Sequence, residues 1–183
     1  VLNESVYTNV SIVKSGPKQV VPGQPIRWTV SHIANNSTVP LQSFYWRDTL
    51  PYQAVTLDKI VTGTYNARLS YKIVYRTNYN QNYRTLADNL STAPNRTIQA
   101  NPTALGLQSG EVVPDFMFVF GNVPAGFRCV ETPYVYGNVR SSVAGTAFVN
   151  KADVGGLHNQ QWIMSNDAWT TDIYRAPRPT LPQ

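Results

Sequence analysis

The chain is predicted to be an all-β protein, a sandwich of about nine or ten strands. Three observations lead there. Apolar and polar residues alternate with a period of two along most of the sequence, turn residues interrupt the alternation at short intervals, and no stretch shows convincing helical spacing. Charged residues make up 14% of the 183, below the ordinary share of about a quarter. Asn, Thr, Ser, Gln and Tyr fill the gap, and with thirteen Pro and eleven Gly they suit half-buried strands joined by polar turns. A jelly roll or another sandwich topology fits the same pattern.

The elements follow in order. Val6–Lys14 alternates and is closed by Ser15-Gly16-Pro17. After the Val21-Pro22-Gly23 turn, Ile26–Ile33 alternates cleanly, and Asn35-Asn36-Ser37 turns the chain into a third strand, Leu41–Trp46. Val55–Val61 and Tyr71–Tyr75 are the next candidates. Residues 77–103 are rich in Asn and Thr and poor in aliphatics; they read as loop, with one short strand at Tyr83–Leu86. Glu111–Phe120, Arg128–Val139 and Ala144–Val154 read as long late strands, and Trp169–Tyr174 as a closing one. One sandwich domain over 1–174 is expected, followed at 175–183 by an extended linker with three prolines in nine residues. The chain begins at Val1 rather than Met, as a mature or excised piece would.

Composition narrows the function classes. One cysteine, Cys129, rules out a disulfide within the chain; alternation with Phe127 makes it a buried apolar residue. His32, His158 and Cys129 are too few for a structural zinc site, so no metal is expected. No phosphate-binding glycine loop and no nucleophile elbow occur, so neither a cofactor nor conventional catalysis is expected. The net charge of +5 is scattered, unlike a nucleic-acid footprint. No apolar run is long enough to span a membrane. Asn-x-Ser/Thr triplets such as Asn36-Ser37-Thr38 are read as chance in an Asn- and Thr-rich chain.

Three pieces carry a family likeness: Lys14-Ser15-Gly16 with Val21-Pro22-Gly23, then Asn35-Asn36-Ser37 with Pro40-Leu41 and Asp48-Thr49-Leu50-Pro51, then Asn150-Lys151-Ala152-Asp153-Val154. In that order, over roughly residues 6–154, the chain resembles the immunoglobulin-like stalk and pilin domains of Gram-positive surface proteins. It is most similar to the collagen-adhesin type, which cross-links itself with an intramolecular Lys–Asn isopeptide bond. Leu181-Pro182-Gln183 resembles the start of an LPxTG sortase signal, although the Thr-Gly, apolar segment and basic tail of that signal are missing. The resemblance implies an extracellular, wall-proximal domain whose parent is joined to peptidoglycan by sortase and whose partners include neighbouring domains of the same chain.

The isopeptide chemistry needs a neutral lysine amine, an asparagine carboxamide that releases ammonia, and a protonated acid that polarises the amide carbonyl and shuttles the proton. Burial favours the uncharged form of both ionisable groups. Lys14 shares strand parity with Val10 and Ile12, Asp48 with Trp46, and Asn150 with Phe148 and Ala152, so period two places each among apolar neighbours. They are the expected nucleophile, acid and electrophile; Glu131 or Glu111 could replace Asp48 as the acid, and Lys151 points to the opposite face. The competing readings are a solvated Lys14 before its turn, Asp48 as a turn cap, and Asn150 bonding a bulge. The bond would be made once and would keep the sandwich from unzipping. A second functional reading is an adhesin module for a host glycan or matrix protein, with Tyr75, Tyr79 and Tyr83 on an Asn-rich loop as its aromatic contacts.

Overall fold

The computed structural model describes residues 5–177 and Pro182. Leu181 and Gln183, on which the likeness to a sortase signal falls, lie outside the described residues. The strands are β1 (Val10–Ser15), β2 (Gln19–Val20), β3 (Pro25–Asn35), β4 (Leu41–Thr49), β5 (Val55–Val61), β6 (Ser70–Thr77), β7 (Asn80–Ser91), β8 (Thr97–Gln99), β9 (Asp115–Val123), β10 (Tyr134–Val139), β11 (Ala147–His158) and β12 (Gln161–Ile173). One helical turn, α1 (Pro102–Leu105), is capped by the Asn101 side chain, which accepts from the Ala104 N–H.

The all-β sandwich expectation is met by two sheets. One has the order β1-β3-β10-β5-β8, the other β2-β12-β11-β4-β9-β6-β7. Setting β6–β9 aside, the remaining strands taken in chain order give the A-B-E-D and C-F-G arrangement of an immunoglobulin-like sandwich. β9, β6 and β7 widen the second sheet beyond β4, and β8 widens the first beyond β5. All neighbours pair antiparallel except β2 and β12, which are parallel.

The core lies between the sheets, where Trp28, Val30 and Ile33 of β3 meet Phe44 and Trp46 of β4 and Phe116, Phe118 and Phe120 of β9. Trp46 stacks on Phe118 with centroids 4.1 Å apart, and Tyr65 stacks on Phe127 at 5.5 Å. Alternation determines which residues enter this core. In β1 Val10, Ile12 and Lys14 are buried, in β4 Phe44, Trp46 and Asp48, and in β11 Phe148, Asn150, Ala152 and Val154.

The first strand divides itself between the sheets. β1 pairs with β3, and after Gly16 and Pro17 the chain pairs as β2 with β12. Gly16 sits where the backbone passes close under two indoles: a Cβ there would lie 2.6 Å from Trp28 Cδ1 and 3.3 Å from Trp169 Cδ1. A side chain of any size would push the crossing away from the core.

Several expected elements differ. Residues 77–103 are not mainly loop: β7 runs for twelve residues as the free edge of the large sheet, with most of its side chains exposed or half-buried. A strand wet on both faces needs few aliphatics, so its composition looks like loop. β12 begins at Gln161, eight residues before the expected Trp169; its early apolar residues Trp162, Ile163 and Met164 are consecutive and so show no period of two. Residues 128–133 form only isolated bridges, and β10 starts after Pro133. Residues 111–114 precede β9 and are not part of it. The short β2 and β8 carry too few residues to show a period.

Candidate functional site

Lys14, Asp48 and Asn150 meet between the sheets. Lys14 comes from the edge strand of the small sheet, and Asp48 and Asn150 from adjacent strands of the large one. Lys14 is 2% exposed and the other two are fully buried. The lysine Nζ donates to Asp48 Oδ2. Asp48 Oδ1 accepts from Asn150 Nδ2 at 2.7 Å, and the same amide nitrogen donates to the Thr49 carbonyl at 3.0 Å. One carboxyl group thus spans the amine and the amide.

Burial pushes the Lys14 amine below its ordinary 10.5, against Asp48, whose charge and hydrogen bond raise it. An ammonium and a carboxylate shut away from water carry a large desolvation penalty. Moving one proton across their hydrogen bond leaves an amine and an acid, both uncharged. The walls are aromatic: the Nζ lies 5.5 Å from the centre of the Trp28 ring, which meets Phe148 edge-on at 6.4 Å.

The amide orientation differs from the sequence expectation. Asp48 faces the Asn150 nitrogen, and Asn150 Oδ1 is buried with no hydrogen-bond partner among the described residues. The Thr49 carbonyl can only accept, so it draws the NH₂ end of the amide toward itself and Asp48. In this arrangement the carboxyl addresses the leaving group, not the carbonyl oxygen.

Asp167 on β12, which carries no signal in the sequence, completes the surroundings. Its Oδ2 accepts from the Lys14 backbone N–H at 2.8 Å. Two residues on, Trp169 Nε1 donates to the Pro17 carbonyl at 2.8 Å, and Thr171 Oγ1 donates to the same oxygen at 2.9 Å. Three alternate residues of β12, Asp167, Trp169 and Thr171, therefore hold the main chain that carries Lys14.

The alternative residues lie elsewhere. Glu131 is exposed and accepts from Asn95. Glu111 accepts from Thr77 at 2.6 Å and Arg84 at 3.0 Å. Lys151 is exposed. Cys129 is only half-buried, not the core residue expected, and burial raises its thiol. Among the described residues no group of three or more His, Cys, Asp or Glu side chains could hold a metal, and no helix is long and apolar enough to cross a membrane.

The tyrosine cluster is not an open loop. Tyr75 is a buried β6 residue, with the Arg84 guanidinium 6.0 Å from its ring centre. Tyr79 keeps an exposed ring, but its hydroxyl donates to the Ser109 carbonyl at 2.6 Å. Tyr83 donates to Asp115 at 2.6 Å and carries Arg76 5.8 Å from its ring centre. The Tyr79 and Tyr83 hydroxyls already serve the fold.

No protein-family model and no curated protein matches the chain. Among solved structures it is similar to a cohesin module of a family 33 glycoside hydrolase from Clostridium perfringens, with 12% identity and a TM-score of 0.44 over 92% of this chain and 98% of that one. It is similar to the collagen-binding subdomain of the Enterococcus faecalis surface protein ACE, with 14% identity and a TM-score of 0.35 over 94% and 100%. It is also similar to the collagen-binding domain of a Staphylococcus aureus adhesin, with 12% identity and a TM-score of 0.31 over 94% and 100%.

Proposed function

We propose that this chain is a structural domain of a bacterial cell surface that closes its own isopeptide bond between Lys14 and Asn150, with Asp48 as the proton shuttle. The observation that carries the reading is the Asp48 carboxyl, joined to the amine on one oxygen and to the amide nitrogen on the other inside a dry site. The uncharged Lys14 amine attacks Asn150 Cγ, and the new C–N bond replaces the bond to Nδ2. Asp48 gives its proton to the departing nitrogen and takes one from the attacking nitrogen, so ammonia leaves and the acid ends as it began. Proximity and desolvation supply the catalysis, and the domain turns over once.

The product would tie β1 of one sheet to β11 of the other. That bond offers a one-cysteine domain outside the cell what disulfides give other extracellular domains. On this reading the domain stands in a Gram-positive cell-wall protein, with residues 175–183 as its wall-proximal linker and Leu181-Pro182-Gln183 as the opening of the sortase signal. Intact mass spectrometry tests the reading. The purified chain is expected to weigh less than its sequence by one ammonia, and a mass equal to the sequence would end the cross-linking account.

A further inference from the structure

We propose that Asp167 is the positioning residue for this cross-link, holding the Lys14 main chain so that its amine reaches Asp48 and Asn150; this rests on the cross-linking reading above.

The register of the large sheet carries the inference. Asp48 on β4 pairs with Ala152 on β11, and Ala152 pairs with Asp167 on β12. Directly paired residues point to the same side of a sheet, so two carboxyl groups stand in one row with a methyl between them. Two strand spacings separate the ends of the row, roughly 10 Å. Lys14 is held at both ends of that row: its backbone N–H donates to Asp167 and its Nζ to Asp48. Ala152, 1% exposed, leaves the middle of the row low.

β1 needs such a hold. It is the edge strand of the small sheet, paired on one side only with β3, and its register with β3 shifts between Ser11 and Val13. The Lys14 N–H is a donor on the unpaired side of that edge. Asp167 is the side chain of the large sheet that takes it, and the Asp167 carboxylate is half-buried, with no cation bonded to it among the described residues. The bonds from Trp169 and Thr171 to the Pro17 carbonyl fix the chain three residues further on. Of these three β12 contacts Asp167 alone acts at the lysine itself, so a shift of β1 along β12 is controlled there.

The test follows cross-link formation by intact mass at timed points after cell-free synthesis of the full chain, for wild type, Asp167→Ala and Asp167→Asn. Displacing a reacting group by about 1 Å costs up to about 100-fold in rate. Asp167→Ala is therefore expected to slow the loss of ammonia by roughly 10- to 100-fold, and Asp167→Asn, which keeps an acceptor oxygen for the Lys14 N–H, to stay within about threefold of wild type. Both changes are repeated in Asn150→Ala, which cannot cross-link, so that urea midpoints report the purely structural cost. Equal rates for Asp167→Ala and wild type would overturn the positioning role. So would equal slowing by Asn and Ala, or slowing in proportion to the structural cost alone. A wild-type chain with no mass deficit would instead remove the cross-link itself, an outcome separate from these.

Discussion

The Asn150 side-chain nitrogen lies 2.7 Å from Asp48 Oδ1, so the acid faces the group that the proposed reaction expels. Among the described residues Asp48 has no side-chain partners other than Lys14 and Asn150, and its two oxygens divide between them. Removing any of the three side chains should abolish the mass deficit.

The stability cost of that loss can be bounded. A link between residues 14 and 150 closes a loop of more than a hundred residues, which in the chain-entropy picture constrains the unfolded state by about 5 kcal/mol. Asn150→Ala should therefore lower the melting temperature by roughly 10–20 °C for a domain of this size. Differential scanning calorimetry beside intact mass checks this. A variant that keeps its melting temperature after losing the deficit contradicts the entropic account.

Gly16→Ala should be costly although it adds one methyl. The new carbon would sit 2.6 Å from Trp28 Cδ1 in a packed interior. Overpacking of this kind costs about 1–3 kcal/mol. Because Gly16 lies two residues beyond Lys14, the variant should also cross-link more slowly. Urea midpoints and timed mass spectra read the two effects separately.

Glu111 should make the domain sensitive to acid. The hydrogen bond from Thr77 holds its carboxyl below the ordinary 4.5, aided by the Gln108 N–H and by Arg84. A lowered folded value means the unfolded state binds the proton more readily. The stabilisation is then fully present above pH 4.5 and fades as pH falls through the folded value. Thr77→Val should make the fall in urea midpoint below pH 4.5 shallower.

Tyr45 should act at the other end of the scale. Burial, followed by the charge and hydrogen bond of Asp153, pushes its phenol up to about 12 from 10.0. Arg47 fixes that Asp153 carboxylate with bonds of 2.9 and 3.1 Å, and Tyr45 donates to it at 2.9 Å. The unfolded chain loses its phenol proton first, so this contribution is whole below pH 10 and is lost as pH rises toward 12. Tyr45→Phe should flatten the decline in urea midpoint across that window.

Much of this molecule was legible in period two. Val55–Val61 was bounded at both ends, and the parity of Val10, Ile12 and Lys14, of Trp46 and Asp48, and of Phe148, Asn150 and Ala152 indicated which side chains turn inward. What stayed hidden has physical reasons. β7 is mostly exposed on both faces, and the first half of β12 carries Trp162, Ile163 and Met164 in succession, so neither shows apolar–polar alternation in the sequence. The hairpin between β11 and β12 turns on Asn159 and Gln160, both with positive φ, without the glycine that usually marks such a turn. Asp167 bonds a backbone amide, and main-chain partners leave no pattern in sequence. The orientation of the Asn150 amide depends on the Thr49 carbonyl, which no side-chain spacing records.

The parallel pairing of β2 with β12 sets how the domain would answer to tension. The chain enters beside the start of β12 and, after Ile173, departs beside the end of β2, at the opposite pole of the sandwich. Drawing the two ends apart slides the first strands along the last. The contacts at Asp167, Pro17, Lys18 and Val20 are then strained side by side, in shear, instead of peeling one after another.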